Sequence, residues 1–264
     1  MTERLRGAFD RARAENRAAL VVYLTAFDGG REHSLACLRA AADAGADVIE
    51  LGVPFSDPSA DGGAIQAAMV RALAAGATPS ATIELVAALR EHTAVPVVLF
   101  GYANPLLRLV SKQPALAARV AGAGADGVLV VDLPPEHAAI LRTDLVAAGL
   151  DWIGLVAPTT TAARRRLVCD AATGFVYAIT LRGVTGTAIA RHDEVELATQ
   201  IAELRAVSSL PIAAGFGVRT PADAKRIAAV ADGVVVGSAL VDAAHAGVAE
   251  LSRAVAALRE AVVR

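Results

Sequence analysis

Several residue classes are scarce in this sequence, and each shortage narrows what the protein can be. There are only two cysteines, Cys37 and Cys169, far apart and without CxxC or Cys/His metal spacing, so they read as small buried apolar residues. The five histidines are scattered and no pair has the spacing of a metal site, so no metal is expected. The net charge is only −2, with both signs interspersed and no basic patch, which leaves nucleic-acid or anionic-membrane binding without electrostatic support. A phosphorylated small molecule stays open, because backbone N–H groups bind phosphate without net positive charge. No apolar run reaches the ~20 residues of a membrane span, and Met1-Thr2-Glu3-Arg4 leads into a charged segment rather than an apolar signal region. A soluble, cytoplasmic protein is expected. Aromatic residues make up 4% of a chain that is 55% hydrophobic. Its core must therefore be Ala, Val, Leu and Ile, in ample supply for an ordered fold.

What the sequence does contain is a regular alternation. Residues 2–18 have the spacing of an amphipathic helix, with Leu5, Ala8, Phe9 and Ala12 on one face. Eight short apolar runs follow, at 20–26, 47–53, 95–102, 127–132, 152–157, 175–181, 211–216 and 233–238. Their near-continuous hydrophobicity suits parallel strands covered on both faces. Helical periodicity marks 32–45, 63–76, 79–92, 114–124, 136–149, 160–172, 194–207, 221–230 and 240–262. Ala-Gly-Ala-Asp occurs at 44–47 and again at 123–126, each time where a helix gives way to a strand, a weak internal repeat. Thr220 can cap a helix whose first turn takes Pro221. Eight β-then-α units in this length, without a linker, predict a single α/β domain over 1–264: a (β/α)8 TIM barrel with an extra N-terminal helix. A doubly wound open sheet is second, and no GxGxxG turn supports it.

The chain is organised around residues 48–62. Val48, Ile49, Leu51 and Val53 make a strand that Pro54 ends, and inside it sits Glu50. A carboxylate there is costly unless paired, hydrogen-bonded or neutralised. The following loop carries Asp57 and Asp61, and one carboxylate on a strand with others on the loop leaving it is a common way to assemble an acid–base site. A Glu satisfied by backbone groups and an Asp in an Asx-turn is the plainer reading. Barrel sites form at the C-terminal ends of strands. Those ends gather Tyr23 and Thr25, Glu50 with Asp57 and Asp61, Tyr102 and Asn104, Asp132, Tyr177 with Thr185, Gly215-Phe216-Gly217, and Gly237-Ser238. The last two groups follow strands seven and eight, where barrels commonly bind phosphate on glycine N–H groups, here with the Ser238 hydroxyl. Residues 182–187, with Gly183, Thr185 and Gly186, suit either a lid or a mobile surface loop. Asp132 suits either the site or an Asx-turn before Pro134, His137 a solvated helix start, and Trp152 the core.

These residues carry a resemblance to the α subunit of tryptophan synthase along nearly the whole chain. It rests on residues 49–58 (Ile-Glu-Leu-Gly-Val-Pro-Phe-Ser-Asp-Pro), Ala60-Asp61-Gly62, Ile65-Gln66, Tyr102-Ala103-Asn104-Pro105, residues 131–134, Gly174-Phe175-Val176-Tyr177, residues 183–186, Gly215-Phe216-Gly217 and Gly237-Ser238-Ala239. The resemblance implies retro-aldol cleavage of indole-3-glycerol phosphate to indole and glyceraldehyde 3-phosphate. Glu50 would then be the general acid–base and Asp61 the carboxylate facing the indole nitrogen. Tyr102 and Tyr177 would frame the substrate and Thr185 would meet Asp61 on lid closure. Gly186, Gly217, Gly237 and Ser238 would hold the phosphate. It implies no cofactor on this chain and a β-subunit partner that carries pyridoxal phosphate in an αββα complex. The sequence departs from the family at 26–29, Ala-Phe-Asp-Gly for the usual Ala-Gly-Asp-Pro, at 59–63, Ser-Ala-Asp-Gly-Gly for the usual Leu-Ala-Asp-Gly-Pro, and at Leu181 where Arg is frequent. A lyase that works alone and releases free indole, and a phosphate-binding paralogue without turnover, are the alternatives.

Overall fold

Alternation within each apolar run decides which side chains meet. The computed structural model describes residues 1–112, 116–180, 191–215 and 217–264. Its strands are β1 (Ala19–Thr25), β2 (Val48–Gly52), β3 (Val97–Gly101), β4 (Gly127–Val130), β5 (Asp151–Trp152), β6 (Gly154–Val156), β7 (Val176–Ile179), β8 (Ile212–Gly215) and β9 (Gly233–Val236). They form one parallel sheet in the order β5-β4-β3-β2-β1-β9-β8-β7-β6. Only Ile153 separates β5 from β6. Its N–H donates to the Val128 carbonyl at 3.0 Å, and that of Gly154 to the Phe175 carbonyl at 3.3 Å. The two segments therefore act as one strand joining β4 to β7, and eight strands close a TIM barrel.

Because successive strand residues face opposite ways, the runs feed two cores. Val21, Tyr23, Val48, Val98, Phe100, Leu129, Phe175, Tyr177, Ala213 and Val235 fill the barrel interior. Leu20, Val22, Ile49, Leu51, Leu99, Val128, Val176, Ile212 and Val234 pack outward. The outer layer is α2 (Arg31–Asp43), α3 (Gly63–Ala74), α4 (Pro79–Arg90), α5 (Ala103–Lys112), α6 (Leu116–Gly122), α7 (Ala139–Ala147), α8 (Ala162–Ala171), α9 (Arg191–Arg205), α10 (Pro221–Ala228), α11 (Ser238–Ala246) and α12 (Val248–Ala261). The helix that precedes β1 in the chain, Glu3–Ala14 (α1), buries Leu5, Ala8, Phe9 and Ala12. Phe9 meets Phe175 with ring centroids 5.6 Å apart, so α1 packs into the barrel interior. No single helix among the described residues is long and apolar enough to cross a membrane.

The repeat at 44–47 and 123–126 has a structural cause. Gly45 and Gly124 take φ of 104° and 87°, ending a helix in the left-handed conformation that favours glycine. The aspartate two residues on then accepts an N–H from the preceding strand: Asp47 from Leu20 at 2.8 Å and Asp126 from Val97 at 2.9 Å. Asp232 does the same for Ile212 at 3.0 Å. Each carboxylate also holds an arginine, Arg17 on Asp47 at 2.5 and 2.8 Å, Arg90 on Asp126 and Arg205 on Asp232. Three copies of one device thus fasten neighbouring strands at the end of the barrel remote from the loops carrying Glu50's neighbours.

Three helical segments differ most from expectation. The first helix stops at Ala14, since Asn16 turns left-handed at φ 53°. The helix expected over 240–262 is two, α11 and α12, separated by Gly247 at φ 142°. Helix α5 lies outside the expected helical segments; Pro105 sits in its first turn, where its missing N–H costs nothing. The Ala103 N–H is taken by Asp132 Oδ1 at 2.7 Å, a cap from a distant strand end. The cap at Thr220 is a full capping box with Asp223, with Pro221 in the first turn.

Arg17 and Asp47 are both buried, and removing Asp47 leaves the buried guanidinium with only the exposed Glu15 carboxylate and the Ala18 carbonyl. Asp47→Ala should lower unfolding free energy by about 3–5 kcal/mol, read as a lower urea midpoint, whereas Asp10→Ala, on an exposed pair, should change it little.

Candidate active site

Glu50 shares a face of β2 with Val48 and stands opposite Tyr23 in the β1–β2 register. The two-residue period therefore aims it into the barrel, where it is 1% exposed. Among the described residues its Oε1 has no hydrogen-bond partner. Burial alone pushes its pKa up to about 8, so the group is a neutral acid near pH 7. The plainer reading of a carboxylate satisfied by backbone groups does not hold for this oxygen.

Asp61 reaches the same space from the loop after β2. Its N–H donates to the Pro58 carbonyl at 3.1 Å, and its carbonyl accepts from Gln66 Nε2 of α3 at 2.8 Å. The carboxyl is buried, and its Oδ2 accepts from the Tyr102 hydroxyl at 2.7 Å. The Tyr102 oxygen in turn accepts the Ala60 N–H at 3.1 Å. Burial raises the Asp61 pKa to about 6 while the Tyr102 hydrogen bond pulls it down. Asp57 lies apart: it is exposed and accepts from Ser56 Oγ at 2.5 Å.

Glu50 and Asp61 line one cleft with Tyr23, Tyr177, Gly217, Gly237 and Ser238. Gly237-Ser238 opens α11, so the helix N-terminus faces this end of the barrel. Tyr102 stands behind Asp61, ring against Phe55, rather than on the cleft wall. Thr185 and Gly186, with the whole candidate lid, lie outside the described residues. Asn104 sits in α5 and Asp132 caps that helix. Gly52 carries no side chain for a reason: a Cβ there would collide with the Tyr23 hydroxyl.

Sequence reasoning missed the apolar walls. Ile65, Phe100 and Val235 line the cleft. A second groove, sharing Asp61 and Phe100 with it, is lined by Val131, Leu133, Ile153 and Leu155. Such residues look like any other core positions, and only their inward register distinguishes them. Arg219 on the cleft rim was missed too. Among the described residues no three metal-ligating side chains cluster.

A family model described as tryptophan synthase alpha chain matches residues 9–263. The chain belongs to the tryptophan synthase alpha chain family. A curated tryptophan synthase alpha chain from Gluconacetobacter diazotrophicus is 51% identical over 240 residues, 90% of this chain and 86% of that one. Among solved structures, a chain of Mycobacterium tuberculosis tryptophan synthase superposes with TM-score 0.90 at 36% identity, covering 100% of both chains. The tryptophan synthase subunit alpha of Legionella pneumophila superposes with TM-score 0.88 at 33% identity, covering 99% of both.

Within this family the departure at 26–29 has a local account. Phe27 stands where glycine is usual and takes φ 64°, a conformation that costs a side chain of the order of 1–2 kcal/mol. Burial to 6% exposure and an N–H bond to Ser34 Oγ at 3.0 Å offset that cost. Asp28 is held by Arg71 of α3 at 2.6 and 2.8 Å, tying this loop to the helix that follows Asp61.

Two titrations follow. Because Glu50 keeps its proton in the fold up to about pH 8 but loses it near 4.5 when unfolded, folding stability falls as pH rises through that window. Glu50→Gln should therefore gain stability relative to the parent chain between these values, measured by denaturant unfolding at a series of pH values. Tyr102→Phe removes the bond that restrains Asp61, so the Asp61 midpoint in a carboxyl NMR titration should rise above about 6; an unchanged midpoint would show that the hydrogen bond is not what sets it.

Proposed function

We propose that this chain, like its family, cleaves indole-3-glycerol phosphate by a retro-aldol reaction in which Glu50 and Asp61 act as an acid and a carboxylate of separated pKa. The observation that carries the reading is that pair in one cleft: Glu50 is protonated near pH 7 while Asp61 is ionised. Glu50 delivers its proton to indole C3, making the ring electrophilic. Asp61 faces the ring N–H and stabilises the positive charge that develops there. The Glu50 carboxylate so formed takes the proton of the side-chain hydroxyl next to C3. The C–C bond then breaks, its electrons returning to the indole, and the departing fragment leaves as an aldehyde. The proton count closes on Glu50, and the reaction calls for no metal or organic cofactor on this chain.

The apolar groove of Val131, Ile153 and Leu155 suits the indole ring, and Gly217, Gly237 and Ser238 suit the phosphate with N–H groups and a hydroxyl. Tyr102 acts through Asp61, as a positioning residue. Thr185 and Gly186 belong to the reading on the strength of the family pattern. A β chain carrying pyridoxal phosphate is the proposed recipient of indole, in an αββα assembly in the cytoplasm. The solved Mycobacterium tuberculosis relative is described as tryptophan synthase, which supports that partnership. The altered loops at 27–29 and 59–63 favour a second reading, a lyase that turns over alone and releases free indole.

Indole release from indole-3-glycerol phosphate, with and without a cognate β chain, separates these. Acceleration by the β chain supports the partnered enzyme, and equal rates without it support the solitary lyase. Glu50→Gln should cut the rate by about 10²–10⁴-fold. The profile of kcat/KM should fall below about pH 6, as Asp61 protonates, and above about pH 8, as Glu50 ionises. A parent chain that releases no indole under either condition would refute both readings.

A further inference from the structure

We infer that Arg219 is a phosphate-binding residue of this cleft, adding a positive charge to a cradle otherwise made of backbone N–H groups and the Ser238 hydroxyl. The inference rests on the phosphate-ester reading above and deepens it.

Charge balance motivates it. Among the described residues lining the cleft, Arg219 is the one cation, and the acids lining it are Glu50 and Asp61. Bringing a phosphate dianion into a partly desolvated cleft that already carries the Asp61 carboxylate is unfavourable. Helix α11 offsets this with about half a positive charge at its start, which is less than a dianion requires. A guanidinium on the rim supplies the remainder and binds phosphate through two parallel N–H donors.

Position supports it. Arg219 follows Gly217 by two residues on the loop leaving β8, and Gly237-Ser238 leave β9, the strand paired beside it. The two loops thus flank one end of the cleft. The base of Arg219 is held in place: its N–H and that of Thr220 both donate to Asp223 Oδ2, at 3.1 and 2.9 Å. The other Asp223 oxygen pairs with Arg226, so the acid that orders this loop has its own counter-ion. Arg219 itself is exposed at the rim, where it can reach an incoming anion without the desolvation that a buried charge would suffer. Rim charges of this kind act on association and on salt dependence.

The test compares the full chain with Arg219→Gln and Arg219→Lys, using glycerol 3-phosphate as the binding probe by calorimetry at low and moderate salt. KM and kcat for indole-3-glycerol phosphate are measured alongside. Arg219→Gln should weaken glycerol 3-phosphate binding and raise KM by about 10-fold with kcat little changed, and should flatten the salt dependence. Arg219→Lys, which keeps the charge, should fall between and provides the reference should the glutamine variant fold poorly. Binding and salt dependence unchanged in Arg219→Gln would overturn the inference while leaving the lyase reading intact. A fall in kcat at constant KM would also overturn it. If the parent chain neither binds glycerol 3-phosphate nor releases indole, the phosphate-ester reading falls first.

Discussion

Keeping the Glu50 carboxyl out of water costs free energy, and the barrel is arranged so that the cost falls on the ionised form. Glu50 sits among Tyr23, Phe100 and Tyr177, on a strand paired on both sides, and among the described residues its Oε1 has no hydrogen-bond partner. The group answers by holding its proton. The register of β2 is thereby constrained twice. A slip of one residue would turn Glu50 outward into the helix layer and bring Ile49 and Leu51 into the cleft. Gly52 shares in this, because only a residue without Cβ leaves room for the Tyr23 ring across the top of the strand.

Asp61 shows how a similar carboxyl is tuned differently. It is also buried, but Tyr102 donates to it, and the same phenol oxygen accepts the Ala60 N–H. That small network stabilises the carboxylate and fixes the loop at once. It draws on two strand ends, β2 and β3, so neither strand alone specifies it. The result is a proton donor on a strand and a carboxylate on the loop that leaves it, with distinct charge at one pH. The remaining loops serve the same geometry: Asp28 and Arg71 join the β1 loop to α3, whose Gln66 holds the Asp61 carbonyl.

Much of this was legible before folding. The eight apolar runs are the strands, the amphipathic spacing of Leu5, Ala8, Phe9 and Ala12 is the buried face of α1, and the repeated Ala-Gly-Ala-Asp is a real device. Glu50 stood out because a carboxylate inside a Val/Ile/Leu run is energetically conspicuous. Helix α5 did not, because its cap, Asp132, is 29 positions away. The split of 240–262 was hidden by periodicity that continues in composition across Gly247. Asp57 and Asp61 look alike in a Pro/Ser/Asp loop, and one is exposed while the other is buried.

Local chemistry in the sequence determined the elements, their order, the barrel class and the identity of the conspicuous acid. Periodicity, turn residues and the cost of a charge in an apolar strand all act over a few residues and are written in the chain. The family pattern already singled out Asp61; tertiary structure alone decided that Tyr102 serves it from behind while Asp57 stays exposed, and which apolar side chains become walls of a binding site. Those outcomes depend on register between strands and on contacts across tens of residues, where the free energy of burial belongs to the assembled barrel and to no single segment.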